Sequence, residues 1–218
     1  MITLFQHGED ESAGIILEYL EERKISFEIC HLYQGDKVPD DVPENLIVLG
    51  GQMSVNDERQ YPWFIPEKAL VKKTIEAGHP VLGICLGAQM IASVYGKQVQ
   101  KGIREIGWCR IRGCNTKRNT IFPDDFAIFH WHGETFDLPE GATLLAAGRD
   151  VKNQAFRVGS GVGVQFHPEV TMQIISTWAK DLPSGTQSRI IEDSKTYLDE
   201  NKRRCYALMD AFVRGWKQ

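Results

Sequence analysis

Short β-rich apolar runs alternate with helically spaced apolar positions through the first half of the chain. Residues 2–5, 27–30, 46–49 and 81–84 have the apolar, β-branched or aromatic character of strands. Between them, residues 11–24 place Ile15, Ile16, Tyr19 and Leu20 on one helix face. Residues 65–76 and 86–95 are also helical in pattern, and Gly78 falls where a glycine ends the first of these two. Apolar strands separated by helices predict a mostly parallel open sheet covered on both faces.

The second half changes character. Residues 107–111, 126–129, 143–146, 155–158 and 162–166 are strand-like with little helix between them, which predicts some antiparallel pairing. From Val170 onward the pattern returns to helix, broken at residues 181–185. Residues 190–216 form a long amphipathic region of one or two helices. Its stripe of Tyr206, Leu208, Met209, Phe212 and Val213 is expected to dock on its own domain. No internal repeat or low-complexity linker interrupts the chain. The expectation is one α/β domain over residues 1–218, with residues 170–218 as a helical C-terminal extension.

Composition narrows the class of function. With 25 Lys+Arg against 29 Asp+Glu the formal charge is 25 − 29 = −4, without the basic footprint of a nucleic-acid binder. The hydrophobic fraction of 42% suits a packed core. No apolar run approaches the roughly 20 residues of a membrane helix, and the first residues lack the basic and apolar regions of a signal peptide. The five cysteines, Cys30, Cys85, Cys109, Cys114 and Cys205, form neither a disulfide framework nor a zinc spacing. Free thiols point to a reducing, cytoplasmic setting.

Three segments can carry chemistry. Gly83-Ile84-Cys85-Leu86-Gly87-Ala88-Gln89 joins a strand to a helix with a nucleophile between two glycines, the pattern of a nucleophile elbow with Cys in place of Ser. A cysteine there gains a helix N-terminus that favours its thiolate, and the next N–H, from Leu86, points where an oxyanion would form. Gly163-Val164-Gln165-Phe166-His167-Pro168-Glu169 ends a strand with a base and an acceptor two residues apart, as a cysteine nucleophile requires. Leu49-Gly50-Gly51-Gln52-Met53 ends another strand in paired glycines; the Gly51 N–H could complete an oxyanion hole with Leu86. Taken singly, each segment also reads as ordinary structure: a buried cysteine, a capped strand-end histidine, a glycine turn. His7 and Glu9, near the first strand end, could face such a site, but a loop role is preferred for both.

Together and in this order, the three segments resemble class I glutamine amidotransferase domains, over roughly residues 45 to 172. Residues 51–57 and 61–64 are similar to free-standing members close to the glutaminase domain of GMP synthase, which include γ-glutamyl peptidases. The resemblance implies a flavodoxin-like class I glutamine amidotransferase fold. It implies Cys85 as nucleophile, His167 as general base and then acid, Glu169 as orienting carboxylate, and Gly51 and Leu86 as oxyanion hole. Gln89 would hold the amino-acid end of the substrate, with Met53, His132 and Glu134 as further pocket candidates. The implied reaction is hydrolysis of a γ-glutamyl amide through a glutamyl thioester, requiring no metal or organic cofactor. Ammonia would pass to a separate synthetase subunit; alternatively, the chain would act alone on γ-glutamyl peptides or conjugates. A non-catalytic binding or regulatory relative is the third reading. A fold relative with its own elbow cysteine is the fourth, though Leu86 stands where that group has histidine.

Overall fold

The computed structural model describes residues 1–114 and 121–216. Its strands are β1 (Ile2–Gln6), β2 (Phe27–His31), β3 (Leu46–Val48), β4 (Val81–Ile84), β5 (Val99–Gly113), β6 (Phe126–Phe136), β7 (Thr143–Ala147), β8 (Asn153–Val158) and β9 (Gly161–Val164). Its helices are α1 (Gly14–Glu22), α2 (Phe64–Glu76), α3 (Leu86–Val94), α4 (Met172–Ala179) and α5 (Ser184–Val213). The strands form one sheet in the order β2-β1-β3-β4-β9-β8-β7-β5-β6. From β2 to β9 all pairings are parallel, and from β9 to β6 all are antiparallel. The α/β expectation, parallel first and antiparallel later, is therefore met.

Two apolar layers cover the parallel half. Ile15, Ile16 and Leu20 of α1 pack with Leu208, Met209 and Phe212 of α5 on one face. Phe64, Val71 and Ile75 of α2 pack with Leu86, Met90 and Ile91 of α3 on the other. Strands buried on both faces cannot alternate polar and apolar residues, which is why β1, β3, β4 and β9 are buried at every position. The apolar stripe of α5 docks on its own sheet, burying Leu208, Met209 and Phe212 while Val213 stays exposed. Full burial of a side chain of this size contributes about 1.5–3 kcal/mol. No helix among the described residues is long and apolar enough to cross a membrane.

Some element boundaries differ from the sequence expectation. β5 begins at Val99 rather than 107, because residues 100–104 are exposed and their polar pattern hides a strand. β6 runs on to Phe136 rather than ending at residue 129, and so carries His130, Trp131, His132 and Glu134. The long C-terminal region is a single helix, and it starts inside the expected break.

Candidate active site

The carboxyl ends of the parallel strands converge on one place, where open α/β sheets bind ligands. β1 leads to His7, β3 to Gly50-Gly51, β4 to Cys85, and β9 to Gln165 and His167. Cys85 lies between β4 and α3 with φ 50° and ψ −101°, a strained conformation for a residue with a Cβ. Both flanking glycines are obligatory. A Cβ on Gly83 would enter the backbone of Gly87, 2.8 Å from the Ala88 nitrogen, and a Cβ on Gly87 would enter the backbone of Val48. The turn is thus wedged between its own helix and β3.

His167 Nδ1 and Glu169 Oε1 are 2.7 Å apart, and both side chains are buried. Burial opposes a charge on the imidazole. The charges of Glu169 and Cys85 outweigh it and push the His167 pKa up to about 10. Nε2 is buried and tied to no oxygen or nitrogen among the described residues, and the ring's other interaction is with the Cys85 side chain. The backbone around this pair is pinned from several sides. The His167 N–H donates to Phe129 at 2.8 Å, the Ile15 N–H to the Glu169 carbonyl at 2.8 Å, and Asn201 Nδ2 to the Pro168 carbonyl at 2.9 Å. Gly14, with φ 42°, lets α1 approach: a Cβ there would strike the Glu169 carbonyl. The Trp178 ring stands at 76° to the His167 ring with centroids 4.9 Å apart.

Gly50 fits against this pair. A Cβ on it would lie 3.1 Å from His167 Cε1 and 3.8 Å from Cys85 Cβ. Gly51 is backed by the side chains of Leu86 and Met53, which a Cβ would meet at 2.7 and 2.6 Å. The Gly51 N–H makes no hydrogen bond among the described residues, and Leu86 is the first residue of α3, where a helix leaves its N–H without an intrahelical acceptor. Cys85, His167, Gly50-Gly51, Leu86 and Met53 are therefore gathered at one point, with Glu169 behind His167.

The other pocket candidates are placed differently. Gln89 is 4% exposed, and its Nε2 donates to Gln165 Oε1 at 3.3 Å; Gln165 Nε2 in turn donates to Cys85 Sγ at 3.5 Å. Gln89 reaches the sulfur only through Gln165. His132 turns its Nε2 to Glu105 Oε2 at 3.0 Å and its Nδ1 to the Glu134 carbonyl at 3.2 Å. Glu134 is half-buried on the same face of β6, and its side chain has no hydrogen bond among the described residues.

Several participants carried no sequence signal. Gln165 lies inside the histidine motif, yet nothing in the motif assigns it the sulfur. His7 is buried rather than in an open loop, and it pairs with Glu67. Glu105, His130 and His132 form the one group among the described residues whose ligand atoms could hold a metal ion, all within 4.8 Å of one another. Hydrogen bonding accounts for it without one: Glu105 Oε2 accepts from His132 at 3.0 Å and Gln154 at 2.8 Å, and lies 3.2 Å from His130 Nδ1. Burial opposes the Glu105 charge, but the bonds from His130 and His132 outweigh it and hold the carboxyl well below the usual range. Burial dominates at His130 and lowers its pKa.

Fold and site together define an α/β protein with a cysteine at a nucleophile elbow beside a buried histidine–carboxylate pair. Comparison with known proteins gives the family. The family model described as glutamine amidotransferase class-I matches residues 10–177. The glutamine amidotransferase-like protein YfeJ of Salmonella typhimurium is 31% identical over 221 residues, covering 96% of this chain and 87% of YfeJ. The glutamine-hydrolysing GMP synthase of Porphyromonas gingivalis is 32% identical over 149 residues, which is 65% of this chain and 28% of that enzyme. A solved glutamine amidotransferase from Thermotoga maritima superposes with a TM-score of 0.90 at 31% identity, covering 97% of each chain. One from Methylobacillus flagellatus shares the fold, with a TM-score of 0.90 at 24% identity. The chain belongs to the class I glutamine amidotransferase family.

Proposed function

We propose that this chain hydrolyses γ-glutamyl amides, glutamine first among them, through a Cys85–His167–Glu169 triad. The observation that carries the reading is the strained Cys85 at the elbow, interacting with a buried histidine whose Nδ1 is held at 2.7 Å by Glu169. Cys85 thiolate attacks the γ-carbonyl carbon, and the N–H groups of Gly51 and Leu86 receive the oxyanion. One such donor is worth about 10² to 10³ in rate. The raised pKa keeps a proton on His167 near neutrality. His167 gives it to the leaving nitrogen as the C–N bond breaks, leaving a glutamyl thioester. His167 then takes a proton from water, whose oxygen attacks the thioester and releases glutamate and the thiol. Gln165 holds the sulfur, and Gln89 holds Gln165. Met53 lines the approach to Gly51, with Glu134 as a candidate for the substrate's charged end. A cytoplasmic setting would keep Cys85 reduced.

The relatives include a glutamine-hydrolysing GMP synthase, of which the alignment spans 28%; that likeness makes a separate synthetase subunit the candidate acceptor for the ammonia. The test is ammonia release from glutamine, glutathione and γ-glutamyl dipeptides by wild type and Cys85→Ala. Turnover by wild type alone supports the reading, and preference for glutamine favours the glutaminase role over a γ-glutamyl peptide hydrolase. Equal rates in both proteins, or none in either, refute it.

A further inference from the structure

His7 and Glu67 belong to none of the motifs that mark the site, yet both side chains are fully buried next to it. His7 follows directly on β1, and Glu67 lies in the first turn of α2. His7 Nε2 is 2.9 Å from Glu67 Oε1, and His7 Nδ1 is 3.0 Å from the Gly50 carbonyl oxygen. Burial opposes a proton on this ring; the Glu67 charge, its hydrogen bond and the Gly50 carbonyl outweigh it and raise the pKa. The Gly50 carbonyl can only accept, so Nδ1 donates to it, and Nε2 is held by the Glu67 carboxyl. Burying such a pair away from water is costly, and well-packed apolar residues would serve stability as well. The pair's useful contact is the second one, to Gly50.

The Gly50 carbonyl and the Gly51 N–H belong to the same peptide group. There are no cis bonds among the described residues, and in a planar trans peptide the C=O and N–H point in opposite directions. Whatever fixes the Gly50 oxygen fixes the Gly51 N–H. A glycine on each side leaves this peptide little steric barrier to turning over. Turned over, it would present a carbonyl dipole to the developing oxyanion in place of a donor. The peptide borders the catalytic pair, since a Gly50 Cβ would come within 3.1 Å of His167 Cε1 and 3.8 Å of Cys85 Cβ.

We infer that His7, backed by Glu67, clamps the Gly50–Gly51 peptide so that the Gly51 N–H stays aimed at the oxyanion. Both are positioning residues, and the inference rests on the proposed Cys85 chemistry.

Side-chain stereochemistry supplies the test. An Asn amide nitrogen occupies the place of a histidine Nδ1, and a Gln amide nitrogen the place of Nε2. His7→Asn keeps a donor for Gly50; His7→Gln keeps one for Glu67 only. With glutamine as substrate, His7→Gln is expected to lose about 10²- to 10³-fold in kcat, with KM changed by less than about threefold. His7→Asn is expected to keep at least about a tenth of kcat. Alkylation of Cys85 by iodoacetamide forms no oxyanion, so its rate should be the same in both variants. A folded His7→Gln with wild-type kcat overturns the clamp, and so does an equal loss in the two variants. A parallel measurement needs no variant. Glutamate γ-semialdehyde adds to Cys85 as a thiohemiacetal, and the Gly51 amide proton of the labelled wild-type protein should then move downfield while His7 Nδ1–H stays protected from exchange. An unmoved Gly51 amide overturns the clamp. A wild-type chain that turns over no γ-glutamyl amide contradicts the proposed function and the clamp with it. Activity in wild type alongside equal activity in His7→Gln contradicts the clamp alone.

Discussion

Replacing Gly87 with alanine tests the elbow geometry with a single methyl group. The added Cβ would enter the Val48 carbonyl, 2.9 Å from its carbon and 3.0 Å from the Val48 Cβ, where ordinary contact begins at 3.4 Å. The obstacle is the backbone of a buried central strand, so no rotamer change can relieve it. Either β3 or the first turn of α3 must shift. Overpacking of this kind costs about 1–3 kcal/mol, or about 2–12 °C in Tm at about 2–4 °C per kcal/mol for a chain of this length. The shift passes to Cys85 and to the Gly50-Gly51 turn just beyond β3, and a displacement of about 1 Å can cost about 100-fold in rate. Thermal unfolding and glutamine hydrolysis would be measured beside Gly185→Ala. That glycine lies in the first turn of α5, where a Cβ meets nothing within 4 Å; the substitution should be neutral or add up to about 1 kcal/mol. If Gly87→Ala unfolds within about 1 °C of wild type and keeps full kcat/KM, the steric account of the elbow is wrong.

Three further outcomes follow from the site. Cys85→Gly should unfold about 1 kcal/mol later than Cys85→Ala, because glycine relieves the φ of 50°, and neither variant should turn over substrate; chemical denaturation decides it. Glu169→Gln removes the main charge that raises the His167 pKa to about 10, so the basic limb of kcat/KM should move to lower pH by about 1–3 units. The sign for stability is the same: protonated His167 stabilises the fold fully below its ordinary pKa of 6.5 and progressively less as pH rises through about 10. The wild-type Tm should therefore fall more over that window than the variant's. Glu105→Ala removes the carboxylate shared by His130 Nδ1, His132 Nε2 and Gln154, while Gln154 keeps the Val151 carbonyl and His132 Nδ1 the Glu134 carbonyl; it should cost about 3–5 kcal/mol in urea unfolding, and a smaller effect would show that water replaces the carboxylate.

Much of this could be read from the chain because the signals are local. Strands buried on both faces are apolar at most positions, so β3, β4 and the Ile2, Leu4 and Phe5 positions of β1 were visible as runs. The elbow and the His-Pro-Glu turn each lie within seven residues, and their glycine and proline demands show in the sequence. The hidden features depend on contacts between distant segments. His7 meets Glu67 across 60 residues and Glu105 meets His132 across 27, and no period or spacing announces such a pair. His132 entered as a pocket candidate through the family resemblance alone; its pairing with Glu105 depends on β5 lying beside β6, which no local pattern shows. The first half of β5 was lost because an exposed strand with an irregular register between Lys101 and Glu105 has no clean period.

The central claim is a covalent glutamyl intermediate on Cys85. Acid-quenched wild-type protein mixed with glutamine is expected to yield a Cys85 peptide heavier by one glutamyl group. The adduct should clear as ammonia and glutamate appear together, and Cys85→Ala should show neither. Ammonia release by wild type with the label absent from Cys85, or carried by another residue, would contradict the account.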